Sequence, residues 1–557
     1  MFRFAKVGML VIVAVALLFL SGCTDAWVRS WRGSAVQVEV PEPEDEDELL
    51  IEGEYGGLWI ETLGTMPQTL DPAQMVTLDE GRVAALLYNG LVRYDVDGTP
   101  LADLAESWEV RGDGLQYTFE LRRDVTFSNG HRFTADDVVF SFLRLLSPQT
   151  ESPRAWVLGD ILGAEQYHAG QSNEVAGIVA EDEYTVTITL EQPRATFLSL
   201  LATPAAFMLN RETVETFETA STEQVAGGIP GFHPVGTGPF SISEYGEGEY
   251  LKLARRNDYH GHGPFLDGIR FEIGIDHVTA REMFSDGRLS ITAIRPEEAD
   301  EIETQVLQSP ELAVFYLGLN CNRGPTEDAR VRQAINYALD PASLLQEIMP
   351  SAFVPAAGSI PPGIVGYDGQ RTGFAHDPRK ARELLDEAGY AETVDLEMIR
   401  GSASSVQQIT DAIAEQLSEV EIEIEMVTAE PGQTFSLLSG STNYDLFYLS
   451  WWADFPDAEN FLRPLFHSEK WGDAGNRTLF SCPETDALLD KARSIHDRDR
   501  RLDIYAEIEE LVFSQAPWVP LYFPVSHQAL QPFVRGYEMG GVYASQKMTT
   551  VWFDRAD

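Results

Sequence analysis

The residues best placed to do chemistry are four in a row, Trp451-Trp-Ala-Asp454, where a carboxylate follows two indoles and precedes Phe455. An acid in such apolar company is partly desolvated, which disfavours its charge unless a cation or hydrogen-bond donors compensate. An incoming ammonium group would serve. So would an arginine partner, with Arg463 near in sequence, or a role as a simple loop cap. Other candidates are weaker. The stretch Gly236-Thr-Gly-Pro-Phe240 invites a phosphate-loop reading, but Pro239 removes a donor N–H and no Lys-Ser/Thr follows, so a tight turn fits better. His260-Gly-His262 offers two imidazoles with no third ligand near in sequence and reads as an exposed loop pair. No GxSxG elbow, HExxH or CxxC pattern occurs, and no nucleophile, base and orienter can be named together. The expectation is a protein that captures something, with no metal, no cofactor and no catalytic residue.

The three cysteines divide by position. Arg3 and Lys6 precede an apolar run of 14 residues, Val7 to Leu20, which ends in Leu20-Ser-Gly-Cys23. A run of that length suits a secretory leader better than a membrane span, which needs about 20 residues. The small-small-Cys ending resembles the lipobox of bacterial lipoproteins, so Cys23 is the expected lipid attachment site, residues 1–22 the signal peptide, and the location extracytoplasmic on a bacterial membrane. Cys321 and Cys482 remain. Export permits a disulfide between them, while two separate buried thiols are the alternative toward which the reading leans. The 88 acidic residues against 40 basic ones give a formal charge of -48. Such a surface repels phosphate backbones, and nucleic acid is excluded as a partner.

The elements that position these residues come from periodicity. Residues 23–55, with Pro41-Glu-Pro-Glu-Asp-Glu-Asp-Glu48, read as an acidic tether. Leu115, Tyr117, Phe119 and Leu121 alternate with polar residues, as do Tyr184, Val186, Ile188 and Leu190, which predicts half-buried strands. Thr134 and Asp137 form a capping box opening a helix through Phe142. Val331, Ala334, Ile335, Ala338 and Leu339 predict an amphipathic helix. A further helix runs between Asp377-Pro378 and Gly389. The most telling stretch is 394–452: strand, helix, strand, short helix, strand. That βαβαβ order implies a parallel sheet with right-handed crossovers. Ligands bind beyond the carboxyl ends of such strands, which is where Trp451 to Asp454 fall.

Beyond these elements, many segments taken together resemble one family. Leu70-Asp-Pro-Ala73, Asn89-Gly-Leu-Val-Arg-Tyr-Asp-Val-Asp-Gly98, Leu104-Ala-Glu-Ser-Trp108, Phe127-Ser-Asn-Gly130, Thr134-Ala-Asp-Asp-Val-Val-Phe-Ser141, Val235-Gly-Thr-Gly-Pro-Phe240, Arg256-Asn-Asp-Tyr259 and Arg330-Val-Arg-Gln-Ala-Ile-Asn-Tyr-Ala338 occur in order along the chain. They resemble the family 5 extracellular solute-binding proteins, the peptide-binding lipoproteins of ABC transporters. The resemblance implies an α/β fold: a bilobal, periplasmic-binding-protein-like clamp with an extra inserted subdomain and mixed sheets flanked by helices. Carried onto this chain, the main lobe is 56–91 with 229–314 and 519–557, the insert 92–228, and the second lobe 315–518. It also implies that Asp454 takes a peptide's α-ammonium, that Trp451 and Trp452 wall the cleft, and that Tyr522 lines it. The implied partners are a small peptide, permease subunits with cytoplasmic ATPases, and the membrane through the lipid anchor. The segment Phe455-Pro-Asp-Ala-Glu-Asn-Phe461 also occurs in members whose ligands are not clearly peptides, so a sugar, a nickel chelate or a small metabolite stays open as cargo, and a sensor as the role.

Overall fold

The structure is a computed structural model that describes residues 53–95, 98–112, 114–219, 234–440, 443–540, 542 and 546–554. The expected signal peptide, Cys23 and nearly all of the tether lie outside the described residues. Among those described, no helix is long and apolar enough to cross a membrane.

Three sheet-centred bodies are built. The first orders its strands Leu58–Leu63, Gly268–Ile273, Tyr250–Arg255 and Phe240–Gly246, with the first pair parallel and the rest antiparallel. Trp59, Leu253, Ile269 and Phe271 form its core together with Val83, Leu86 and Leu87, the inward stripe of the helix Leu78–Leu87. Thr77 and Glu80 cap that helix reciprocally, satisfying two N–H groups at its start. The 236–240 segment, expected as a tight turn, is a bend leading into the strand Phe240–Gly246, with the Gly238 N–H donating to the Leu87 carbonyl at the end of the same helix. A Cβ on Gly236 would collide with the Leu87 carbonyl oxygen, and one on Gly238 with the Leu87 carbonyl carbon. Only glycine fits so close to a backbone.

The second body is an antiparallel sheet ordered Ala105–Arg111, Gln116–Leu121, Thr185–Thr189 and Ile178–Ala180. Tyr117, Phe119 and Leu121 point inward as the alternation predicts. The helix Ala135–Leu146 opens on the Thr134–Asp137 box, with Val138, Phe142 and Leu145 on its buried face.

The third body contains the predicted βαβαβ unit. Val394–Arg400 lies between Ile422–Thr428 and Leu446–Trp452 and is parallel to both. The helices Ala329–Ala338, Pro378–Glu387 and Ser404–Ser418 contribute Val331, Ile335, Leu385 and Ile413 to one core with Leu396 and Leu446. Ala313–Leu319 then pairs antiparallel with Leu446–Trp452 on one side and with Trp518–Leu530 on the other.

The 13-residue strand Trp518–Leu530 joins the first and third bodies. Its start pairs with Ala313–Leu319 and its end with Gln305–Pro310 and Ile291–Ala293. Residues 310–313 run beside it as the second connection. The second and third bodies meet through a network of charges in which Arg194 and Glu459 are buried and Asp160 and Arg493 half-buried. Arg194 bridges Asp160 and Glu459, the latter at 3.1 Å, while Arg493 reaches Asp160 at 2.7 Å and Glu459 at 3.4 Å. Burial pushes the Asp160 carboxyl up, but Arg194 and Arg493 more than offset this and hold it below its ordinary value.

Two substitutions test this packing. Gly318 faces Phe447 across the ladder, and a Cβ there would overlap the ring, which is itself buried. Gly318→Ala is expected to cost about 1–3 kcal/mol by overpacking, read as a lower urea midpoint. Arg194→Met leaves Asp160 and Glu459 short of a partner and is expected to cost about 3–5 kcal/mol at pH 7. Because the folded pKa of Asp160 is depressed, its contribution is full at neutral pH and is lost as the pH falls below about 4. The gap between wild type and Arg194→Met in urea melts should therefore narrow on acidification.

Candidate functional site

Asp454 stands two residues past the carboxyl end of the strand Leu446–Trp452, and strand alternation sends the two indoles before it to different sides. Trp451 lines a cavity of about 770 Å³ between the second and third bodies, with Trp156, Asp160, His168 and Arg194 on the facing wall. Trp452, 40% exposed, lines a cavity of about 210 Å³ between the first and third bodies, opposite Arg82, Gln528 and Tyr537. Asp454 and Phe455 line both.

Local hydrogen bonds fix this corner. Asn460, buried in the helix Glu459–Phe466, accepts from the Asp454 backbone N–H at 2.9 Å through its side-chain oxygen, and its own carbonyl accepts from Trp451 Nε1 at 2.9 Å. Beneath it, Asp457 accepts from the Tyr505 hydroxyl at 2.7 Å and pairs with Arg501.

The charge on Asp454 is met from another body. Arg154 Nη1 donates to Asp454 Oδ1 at 2.6 Å, while its Nε donates to the Met75 carbonyl at 3.1 Å and its Nη2 to the Val76 carbonyl at 3.4 Å. One guanidinium thus ties the three bodies together at the junction of the two cavities. Asp454 Oδ2 has a longer contact, with Asn460 Nδ2 at 3.4 Å. This leaves one carboxylate oxygen able to accept from a cationic or N–H-bearing ligand. The partner suggested by sequence proximity, Arg463, is engaged instead with Asp490 at 2.7 Å and Glu469 at 3.6 Å.

The other sequence-derived candidates are distributed as follows. Tyr522 is 5% exposed, lies stacked on Phe315, and shares a 3.0 Å hydroxyl contact with Tyr448; it lines neither cavity. Burial pushes its phenol up to about 12. His260, read as exposed, is instead packed on Tyr259 with Nε2 3.8 Å from Asp103, its side chain only 4% exposed, whereas His262 is exposed. Among the described residues, no group of three or more His, Cys, Asp or Glu could hold a metal ion. Cys321 and Cys482 are both free thiols, and burial pushes Cys321 up to about 11.

Comparison with known proteins agrees with this architecture. Residues 99–473 match the family described as bacterial extracellular solute-binding proteins, family 5 Middle. The glutathione-binding protein GsiB of Salmonella paratyphi A is 29% identical over 471 residues, 82% of this chain and 87% of that protein. Heme-binding protein A of Haemophilus influenzae is 30% identical over 473 residues, 81% of this chain and 84% of that protein. Among solved structures, the periplasmic murein tripeptide binding protein MppA in its unliganded open form superimposes with a TM-score of 0.75 at 25% identity, covering 90% of this chain and 97% of that one. The periplasmic binding protein DppA from Helicobacter pylori, in complex with the peptide STSA, gives 0.74 at 25% identity, covering 90% and 99%. With two thirds of its length matched and its fold shared, the chain belongs to the family 5 bacterial extracellular solute-binding proteins, the substrate-binding components of ABC importers.

Proposed function

We propose that this protein captures small peptides between its lobes and delivers them to a membrane permease driven by cytoplasmic ATPases, while a lipid on Cys23 holds it at the membrane. The observation that carries the peptide reading is the placement of Asp454, which lines both inter-body cavities with one oxygen held by Arg154 and the other in only a 3.4 Å contact with Asn460. A peptide's α-ammonium donates to that weakly held oxygen, and its main chain pairs with cleft backbone as an added strand. Cavities of about 770 and 210 Å³ suit a ligand of a few residues.

Capture proceeds by closure about the strand Trp518–Leu530 and residues 310–313, a hinge motion biased by contacts made in the closed state. Closure expels water, and the lower dielectric strengthens the contact between the ammonium and Asp454. The tripeptide- and peptide-binding neighbours support this reading. A heme-binding relative at 30% identity favours a second one, the same transport role with a non-peptide cargo. Mass spectrometry of whatever co-purifies separates the two.

Asp454→Ala is expected to weaken binding of free-amine tripeptides by roughly 10- to 100-fold, the loss of one charge-assisted hydrogen bond, and to leave N-acetylated tripeptides nearly unchanged. Isothermal titration measures both. Equal losses for the two peptides would remove the ammonium role from Asp454.

A further inference from the structure

The smaller cavity holds a second carboxylate. Glu311 lines it together with Trp452, Asp454 and Arg82. It sits on the 310–313 connection, where its backbone N–H donates to the Pro524 carbonyl at 2.8 Å, so the two chain crossings between the lobes hold it in place. The ladder beside it pairs Ala313 with Trp452 and continues as the Ala453 N–H donating to the Leu312 carbonyl at 2.9 Å. Glu311 and Asp454 therefore flank the same end of that ladder.

The charges around this cavity balance except at Glu311. Asp454 is met by Arg154 at 2.6 Å. Arg82 is met by Glu61 at 2.6 Å and by Asp79 at 3.5 Å. Glu311 has no ion pair or side-chain hydrogen bond among the described residues, and burial alone pushes its carboxyl up. An uncompensated carboxylate in a closing cavity is costly, and a cation arriving with the ligand removes that cost. The indole of Trp452 on the same wall offers such a cation a π face.

We infer that Glu311 is a second acceptor for the ligand's ammonium and the residue that fixes the cavity's preference for one positive group. This rests on the capture reading given above and extends it. Asp454, already offset by Arg154, orients the amino end, while Glu311 supplies the charge that the ligand must neutralise. A ligand with no cation leaves Glu311 unpaired on closure, and one with two leaves a positive charge in excess.

The test uses the full chain carrying Glu311→Gln, with trialanine and N-acetyl-trialanine as probes in isothermal titration. The expected result is a roughly 10- to 100-fold loss for trialanine, little change for the acetylated peptide, and a ligand-free melting temperature equal to or above that of wild type, because an unpaired, half-buried acid has been removed. If Glu311→Gln keeps the wild-type preference for the free amine, the inference is overturned, while the peptide reading stands. If wild type binds neither peptide, the peptide reading fails, and a thermal-shift panel of non-peptide amines against their N-acetyl derivatives decides Glu311. An amine that stabilises wild type and not Glu311→Gln supports the assignment; hits retained by the variant, or no amine among the hits, overturn it.

Discussion

A carboxylate placed among indoles and a phenylalanine must find a cation, and the way Asp454 does so organises the centre of this molecule. Arg154 comes from a different body, places its remaining donors on the Met75 and Val76 carbonyls of a third, and so converts a local electrostatic need into a tie across the whole cleft. The pair is not deeply buried, with side-chain exposures of 23% and 27%. At that depth an ion pair contributes modestly to stability. The network of Asp160, Arg194, Glu459 and Arg493 is the more extensive fastening between the second and third bodies, with two arginines shared by two carboxylates. The two sets of charges have different duties: one holds the bodies together, and the other presents a carboxylate to the space between them.

The outline of the fold was legible because local patterns and tertiary structure agree. The Thr134–Asp137 box opens the helix it predicts, Asp377 caps the helix that Gly389 follows at a φ of 95°, and the 394–452 region forms the parallel unit its periodicity implied. The position of Asp454 beyond a strand's carboxyl end followed from the same pattern. Its partner did not, because Arg154 lies 300 residues away and pairing at such separation leaves no mark in a single sequence. Proximity pointed to Arg463, which the helix geometry turns toward Asp490. Glu311 was hidden for a different reason. With 88 acidic residues, an acid is singled out only by lacking a partner, and that is a property of three dimensions. His260 shows the converse error, since a polar loop dipeptide gave no hint that one ring would be buried on Tyr259.

The strand Trp518–Leu530 has a mechanical consequence. Its hydrogen bonds pass from one lobe's partners to the other's along one continuous backbone, so relative rotation of the lobes can be absorbed as a change in twist spread over several peptide units. A change in the angle between the lobes would leave both ladders intact. The joint is built as a leaf spring rather than a pin, and its stiffness is set by the side chains packed along the ribbon, of which Phe523 and Ala529 are buried and line neither cavity.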